Sequence, residues 1–377
     1  MADRADPLPR RWRILWPPAR TIAAMNVFSR RDRPALRGGA LALLAALLFG
    51  ASTPLIARVG DGLGSFWVAA LLYVGAAAAG ALTWRPATSE ARVRLGDAPR
   101  LMAMALCGAT LAPVLLVWGL ARTSATGASL LLALEACFTV LLARAFYAEH
   151  LGGRVLAALA LLTAGGALLV ADQARAGVGA QWHGALAVLG ATALWGLDNT
   201  LSRALAERDP GQVVLAKSIL GATATLAMAA GFGQSPPAAG AFLALFLIGA
   251  LGYGLSLRLY LLAQREFGAA RTGSVFAFAP FIGAAVAFGM GERGATLWLA
   301  AGATLMLAGV LLHLSERHAH QHAHAPLEHE HAHTHDDGHH LHHHDPQPMQ
   351  AHSHWHRHEP TNHAHAHVPD AHHSHSH

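Results

Sequence analysis

The chain has 377 residues, 53% of them apolar and only 13% charged, and its mean hydropathy is +0.34. About a quarter of the residues of a water-soluble domain are charged, so the composition excludes an ordinary soluble enzyme or binding domain and indicates a membrane protein. The net charge of +5 does not indicate a nucleic-acid partner, since the arginines cluster beside apolar runs where they set orientation, and the two cysteines, Cys107 and Cys137, lie inside such runs and exclude a disulfide framework or zinc ribbon.

Residues 1–37 carry nine arginines and no apolar run long enough to insert. They read as a basic cytoplasmic N-terminal segment, not a signal peptide, and Met25 is as good a start as Met1. Ten apolar segments follow, roughly 38–57, 66–84, 101–121, 125–147, 154–171, 184–203, 213–231, 240–263, 270–290 and 296–314. Each is near the length of about 20 residues that crosses about 30 Å of hydrocarbon as a helix. With the N-terminus inside, the inner loops hold Arg85, Arg92, Arg94, Arg100, Arg154, Arg203, Arg208, Arg265 and Arg271, and the outer loops only Arg58, Arg122, Arg175 and Arg293. The bias predicts a multi-pass protein of a bacterial-type inner membrane with both termini cytoplasmic. Alanine and glycine recur in the spans ("GAAAAGAL", "TAGGALLVA"), as close helix packing in lipid requires.

The fourth segment, "SLLLALEACFTVLLARAFYAEHL", closes on Glu149 and is followed by an apolar run to Ala171; the same order returns at Glu292 and the run to Leu314. With the two glutamates superposed, "LLTAGGALLV" (161–170) lies over "TLMLAGVLLH" (304–313). The copies lie five spans apart, and an odd number forces the second to enter the membrane from the opposite face, the inverted-repeat plan of secondary transporters. The expected fold is therefore an all-α membrane protein of ten transmembrane helices. It comprises a first five-helix repeat at 38–171, an outside linker at 172–183, a second repeat at 184–314 and a disordered tail at 315–377.

"ASLLLALEACFTVLLARAFYAEHL", preceded by "LLFGAS" in the first segment and echoed by "ALWGLDN" in the sixth, resembles the EamA family of the drug/metabolite transporter superfamily over residues 38 to 314. The resemblance implies a transporter, with a glutamate at position 135 part of the general family pattern. The family places a proline after this glutamate; here that position is Ala136, whereas the second copy keeps Pro280 after one residue of slippage.

An ionisable side chain at the centre of a span costs about 2.5 to 3.5 kcal/mol on insertion scales, so each needs a partner or a polar cavity. Asp198, beside Asn199, lies in the sixth segment; Lys217, the only lysine, in the seventh; Glu135 in the fourth; and Arg258 in the eighth. Read structurally, Asp198 neutralises Lys217 and Glu135 neutralises Arg258. Read functionally, Asp198 and Glu135 line a central cavity and bind a cation or exchange a proton, with Asn199, Lys217 and Arg258 completing the pathway. Cys107 and Cys137 are soft-metal ligands by chemistry and small hydrophobes by location.

From His318 to His377 the composition changes: 24 of these 60 residues are histidine, largely as His-x-His, including His329, His331, His333 and His335, with the densest knot at His339, His340, His342, His343 and His344. With almost no aliphatic residues to offset chain entropy, the tail is expected to be disordered. Neutral imidazoles in that density predict binding of nickel, cobalt or zinc.

These features predict a secondary transporter, not an enzyme, with no required cofactor, since no G-x-x-x-x-G-K-[ST] loop is present. The expected cargo is a divalent transition metal such as nickel or cobalt, exported after capture by the tail; the alternative is a small metabolite, amino acid or drug, with the tail sensing metal. The partners are the bilayer and a small-molecule or ion substrate, and a homodimer is compatible with the composition.

Overall fold

The computed structural model describes residues 33–83, 91–147, 151–175, 181–202, 208–267, 269–292 and 296–315, with isolated positions between them and four strands within 318–367. Among the described residues the helical segments are, in chain order, α1 (Arg33–Val59), α2 (Ser65–Thr83), α3 (Leu95–Leu120), α4 (Ala125–Tyr147), α5 (Gly153–Arg175), α6 (Gln181–Ser202), α7 (Pro210–Gly231), α8 (Ala239–Gln264), α9 (Arg271–Gly289) and α10 (Leu297–Leu314). Among the described residues nine are long and apolar enough to cross a membrane; α6 is outside that set, its 22 residues ending on a polar turn that holds Asp198 and Asn199. The linker expected at 172–183 is shorter than its sequence suggests, because α5 continues to Arg175 and α6 starts at Gln181. Without water, the helix extends wherever the backbone can still bond to itself.

Local signals start and stop these helices. Asp209 accepts from the amides of Gly211 (2.8 Å) and Gln212 at the start of α7, where Pro210 takes the first position and forgoes a donor that would be unsatisfied. Ser124 and Thr296 cap α4 and α10 in the same way. Gly62 and Gly233, with φ of 72° and 62°, turn the chain out of α1 and α7 in the left-handed conformation that side chains disfavour. Leu43, Leu47, Leu141, Leu156, Leu243 and Leu311 are exposed around the bundle, a surface suited to lipid.

Four segments are interrupted. α3 and α8 each contain a seven-residue π-helical stretch, Ala105–Leu111 and Gly249–Leu255. α4 tightens into a 3-10 turn at Leu132–Leu134 just before Glu135, and α9 breaks between Phe276 and Ala279 just before Pro280. Thus the fourth segment is interrupted at the level of Pro280 even though Ala136 stands where the proline would be.

The close helix pairs are α5 with α10, α2 with α7, α4 with α9, α1 with α8 and α9, α6 with α3 and α4, α2 with α8, and α7 with α3. This set is unchanged when each helix is exchanged with the one five places along. Small residues bring the pairs together: a Cβ added at Gly165 of α5 would meet the Gly302 carbonyl of α10 at 2.7 Å, and one at Gly302 would meet the Gly165 carbonyl at 2.9 Å. Ile56, Leu72, Leu116, Leu131, Leu162 and Met306 fill the centre. Buried hydroxyls bond back to their own helices, as Thr192 does to the Val188 carbonyl at 2.7 Å, or across, as Ser256 does to Ala45 at 2.8 Å.

The tail, expected to be disordered, contains four short strands: β1 (His318–His324), β2 (Leu327–His333), β3 (His352–His358) and β4 (Thr361–His367). β1 pairs antiparallel with β4 and β2 with β3. Composition argues against a packed core, but a strict two-residue alternation also suits a strand pair, which needs no core to hydrogen-bond its backbone. His335, His339, His340, His342, His343 and His344 lie outside the described residues, as do residues 1–32.

Candidate functional site

Asp198 lies in the last turns of α6 and Lys217 two turns into α7. The two meet: Lys217 Nζ donates to Asp198 Oδ2. Asp198 is 4% exposed, and its other oxygen, Oδ1, is buried with no hydrogen bond among the described residues. The pair joins two groups that would each be costly alone in hydrocarbon, and the bare Oδ1 remains able to accept a proton or a donor.

The floor under Asp198 is Gly108 of α3. In the π-helical stretch Ala112 N–H bonds the Cys107 carbonyl, five residues back. By the same register the Gly108 carbonyl would receive Pro113, which has no N–H. The freed carbonyl accepts from Tyr73 Oη at 2.6 Å and Trp195 Nε1 at 2.9 Å. One backbone oxygen thereby ties α2 and α6 to α3. A Cβ added at Gly108 would lie inside the Asp198 carboxylate, 2.8 Å from Asp198 Cβ.

Asn199 follows Asp198 by about 100° around α6 and so faces a different neighbour. Its Nδ2 donates to Glu135 Oε1 of α4 at 2.5 Å. Asn199 is exposed and Glu135 half-buried, which suits a hydrated cavity better than lipid. Tyr73, Tyr253 and Tyr260 lie within electrostatic reach of Glu135. Ring contacts continue from Tyr73 to Tyr253 (centroids 5.7 Å apart), Tyr253 to Phe49 (5.8 Å), Phe49 to Phe276 (5.4 Å) and Phe276 to Tyr260 (4.9 Å). Two polar pairs thus adjoin an aromatic wall contributed by α1, α2, α8 and α9.

Of the residues singled out in the sequence, the structure joins Asp198 to Lys217 and Asn199 to Glu135. It does not join Glu135 to Arg258. Arg258 Nη1 instead donates to the Thr83 carbonyl at the end of α2, a cation against the negative end of a helix dipole. Cys107 is half-buried within reach of the Asp198 and Lys217 charges, and Cys137 is buried. No group of three His, Cys, Asp or Glu converges among the described residues.

The sequence analysis missed Tyr73, Gly108 and Pro113, although a proline five residues after a glycine inside a span was a legible signal. It also missed two clasps at opposite ends of the bundle. At one end Glu292, after α9, accepts from the amides of Ala125 (2.9 Å) and Thr126 (2.7 Å) and from the Thr126 hydroxyl, capping α4. At the other, Arg208 Nε donates to Asp97 Oδ2 at 2.8 Å, and the Asp209 amide donates to the Ala91 carbonyl at 2.7 Å.

The sequence model of the EamA-like transporter family matches residues 36–171 and again residues 182–315. A protein of Methanothermobacter thermautotrophicus (strain ATCC 29096 / DSM 1053 / JCM 10044 / NBRC 100330 / Delta H), described as an uncharacterized transporter, is 28% identical over 232 residues, 60% of this chain and 68% of the relative. A solved structure described as "Crystal structure of protein" superposes with a TM-score of 0.53 over 73% of this chain and 95% of its own, at 18% identity, a likeness of fold alone. Two successive matches cover both halves of the bundle that holds the site, and the chain belongs to the EamA-like transporter family of multi-pass membrane transporters.

Proposed function

We propose that the chain is a ten-span secondary transporter, α6 included, built as two inverted five-helix repeats, with both termini cytoplasmic in a bacterial-type inner membrane. Its solute site is the constellation of Glu135, Asn199, Asp198 and Lys217 beside the aromatic wall. The carrying observation is that neighbouring residues of one helix turn, Asp198 and Asn199, engage a lysine on α7 and a glutamate on α4. A solute that displaces either contact loosens α6 from that neighbour, which couples occupancy to helix movement. Glu135 serves as the proton-exchanging carboxylate and Asp198 as the counter-ion of Lys217. The exchange invariance of the helix pairs supports the inverted layout, and the arginine bias supports the orientation.

The cargo that suits this donor set is a small metabolite, amino acid or drug-like solute with an ionised group and an apolar or aromatic part. Lys217 at the site repels a bare divalent cation, while rings and carboxylates together suit an amphipathic organic molecule. A second reading, export of nickel or cobalt after capture by the tail, is favoured by the 24 histidines at 318–377. Uptake into proteoliposomes under an imposed proton gradient, with a panel of amino acids and amphipathic solutes beside Ni2+, Co2+ and Zn2+, separates the two. Gradient-driven movement of an organic solute supports the first reading; movement of metal alone supports the second.

A further inference from the structure

The strand register of the tail places histidine opposite histidine. In the outer ladder His318 lies opposite His367, His320 opposite His365 and His322 opposite His363. In the inner ladder His329 lies opposite His356, His331 opposite His354 and His333 opposite His352. The two ladders share one register: nine residues inward from the His318–His367 pair on each strand, Leu327 lies opposite His358. Opposed positions of an antiparallel pair share one face with Cβ atoms about 4.5 to 5.5 Å apart, and the next pair on that face is about 7 Å along. In each ladder the register therefore sets three histidine positions of one strand opposite three of the other.

We propose that these ladders are cross-strand sites for a divalent transition metal, with zinc as the clearest case, each ion held by histidines from both strands. Two successive pairs offer four imidazoles, enough for a tetrahedral ion with metal–nitrogen distances of about 2.0 to 2.1 Å. A simple His-x-His chelate would need only one strand. The alternation, repeated on four strands with histidine in register across each pair, supplies the second strand's donors at the same level. The positions between the inner pairs are filled differently: Glu328 lies opposite Arg357 and Glu330 opposite Trp355. Opposite charges at one pair favour this register on the other face. Trp355 is also where the ribbon meets the bundle, with Arg94 Cζ 5.7 Å from its ring centroid, on the loop before α3 that carries the Asp97–Arg208 clasp. Trp355 of the inner ladder thus adjoins the end of the bundle that carries this clasp.

The proposal rests on the tail's capacity to bind metal but is tested apart from it. Full-length protein in detergent is titrated with Zn2+ by calorimetry near neutral pH. It is compared with a variant carrying His329→Gln, His331→Gln and His333→Gln, one carrying His352→Gln, His354→Gln and His356→Gln, and one carrying all six. Shared sites predict that either triple variant loses as many bound zinc ions as the six-fold variant, because each removes one side of the same coordination sphere. An additive loss, each triple variant giving up its own separate fraction, assigns the metal to single strands and overturns the ladder. Unchanged stoichiometry in all three variants also overturns it. Absence of Zn2+ binding by the unmodified protein removes the metal-binding reading itself.

Discussion

Lys217 Nζ reaches Asp198 Oδ2 from the neighbouring helix, while Asp198 Oδ1, buried beside it, receives no hydrogen bond among the described residues. Half of this carboxylate is committed to holding α7 and half is available. The contrast with the first half is direct, because Ser52 of α1, in the position of Asp198 when "LLFGAS" is laid over "ALWGLDN", donates at 2.6 Å to the Phe49 carbonyl of its own helix.

Removing one member of this pair separates structure from transport. Lys217→Met leaves a buried carboxylate uncompensated and should lower stability by about 3 to 5 kcal/mol, read as thermal unfolding in detergent. Asp198→Asn with Lys217→Met should recover most of that stability and none of the transport. Recovery of transport in the double variant refutes a working role for Asp198.

Gly108→Ala places a methyl group against the Asp198 side chain and is expected to cost about 1 to 3 kcal/mol as overpacking. It should also reduce transport more strongly than Gly252→Ala. In the second half the equivalent Cβ meets Ser52 Cβ at 2.7 Å, with Ser52 Oγ and the Leu48 carbonyl at 3.3 Å, and disturbs no ion pair. Equal losses of transport in the two variants count against the Asp198 site.

Glu135 should couple to Asn199 and not to Arg258. In double-mutant cycles on thermal stability, Glu135→Gln with Asn199→Ala should be non-additive by about 1 kcal/mol or more. Glu135→Gln with Arg258→Met should add within about 0.5 kcal/mol. The reverse pattern restores the Glu135–Arg258 pair that the sequence suggested.

Glu292→Ala removes the acceptor for the Ala125 and Thr126 amides. The expected cost is about 1 kcal/mol, the usual worth of a helix N-cap, with faster hydrogen exchange at the start of α4. Exchange unchanged at these amides shows that the clasp is replaced by solvent without consequence.

Truncation after Arg317 leaves the ten helical segments whole. Transport of an organic solute should persist, while Zn2+ binding to the purified protein should fall to the level of the bundle alone. In the full-length protein that binding should also fall on acidification to about pH 5.5, because only neutral imidazole ligates metal and protons compete for it. A truncated protein that keeps full Zn2+ binding excludes the tail as the metal site.

The sequence by itself determined the helices. A bilayer forces every backbone group to bond within its own segment, so an apolar run of sufficient length is a helix whatever its neighbours are, and the repeat was legible by laying Glu149 over Glu292. Asp198 and Lys217 were also legible, because charges in spans are few enough for opposite signs to suggest each other. What only the tertiary structure decided is which helix faces which at a given level. Glu135 could be assigned to Arg258 by charge alone, yet α4 packs against α6, and the amide of Asn199 is the group within reach. Arg258 is spent instead on a helix end, a helix terminus being a partner that has no side chain to announce it. The freed carbonyl of Gly108 needs both Pro113 in its own helix and two donors from others. Such contacts depend on helix rotation and depth, which hydropathy leaves open because every side of a lipid-soluble helix is apolar.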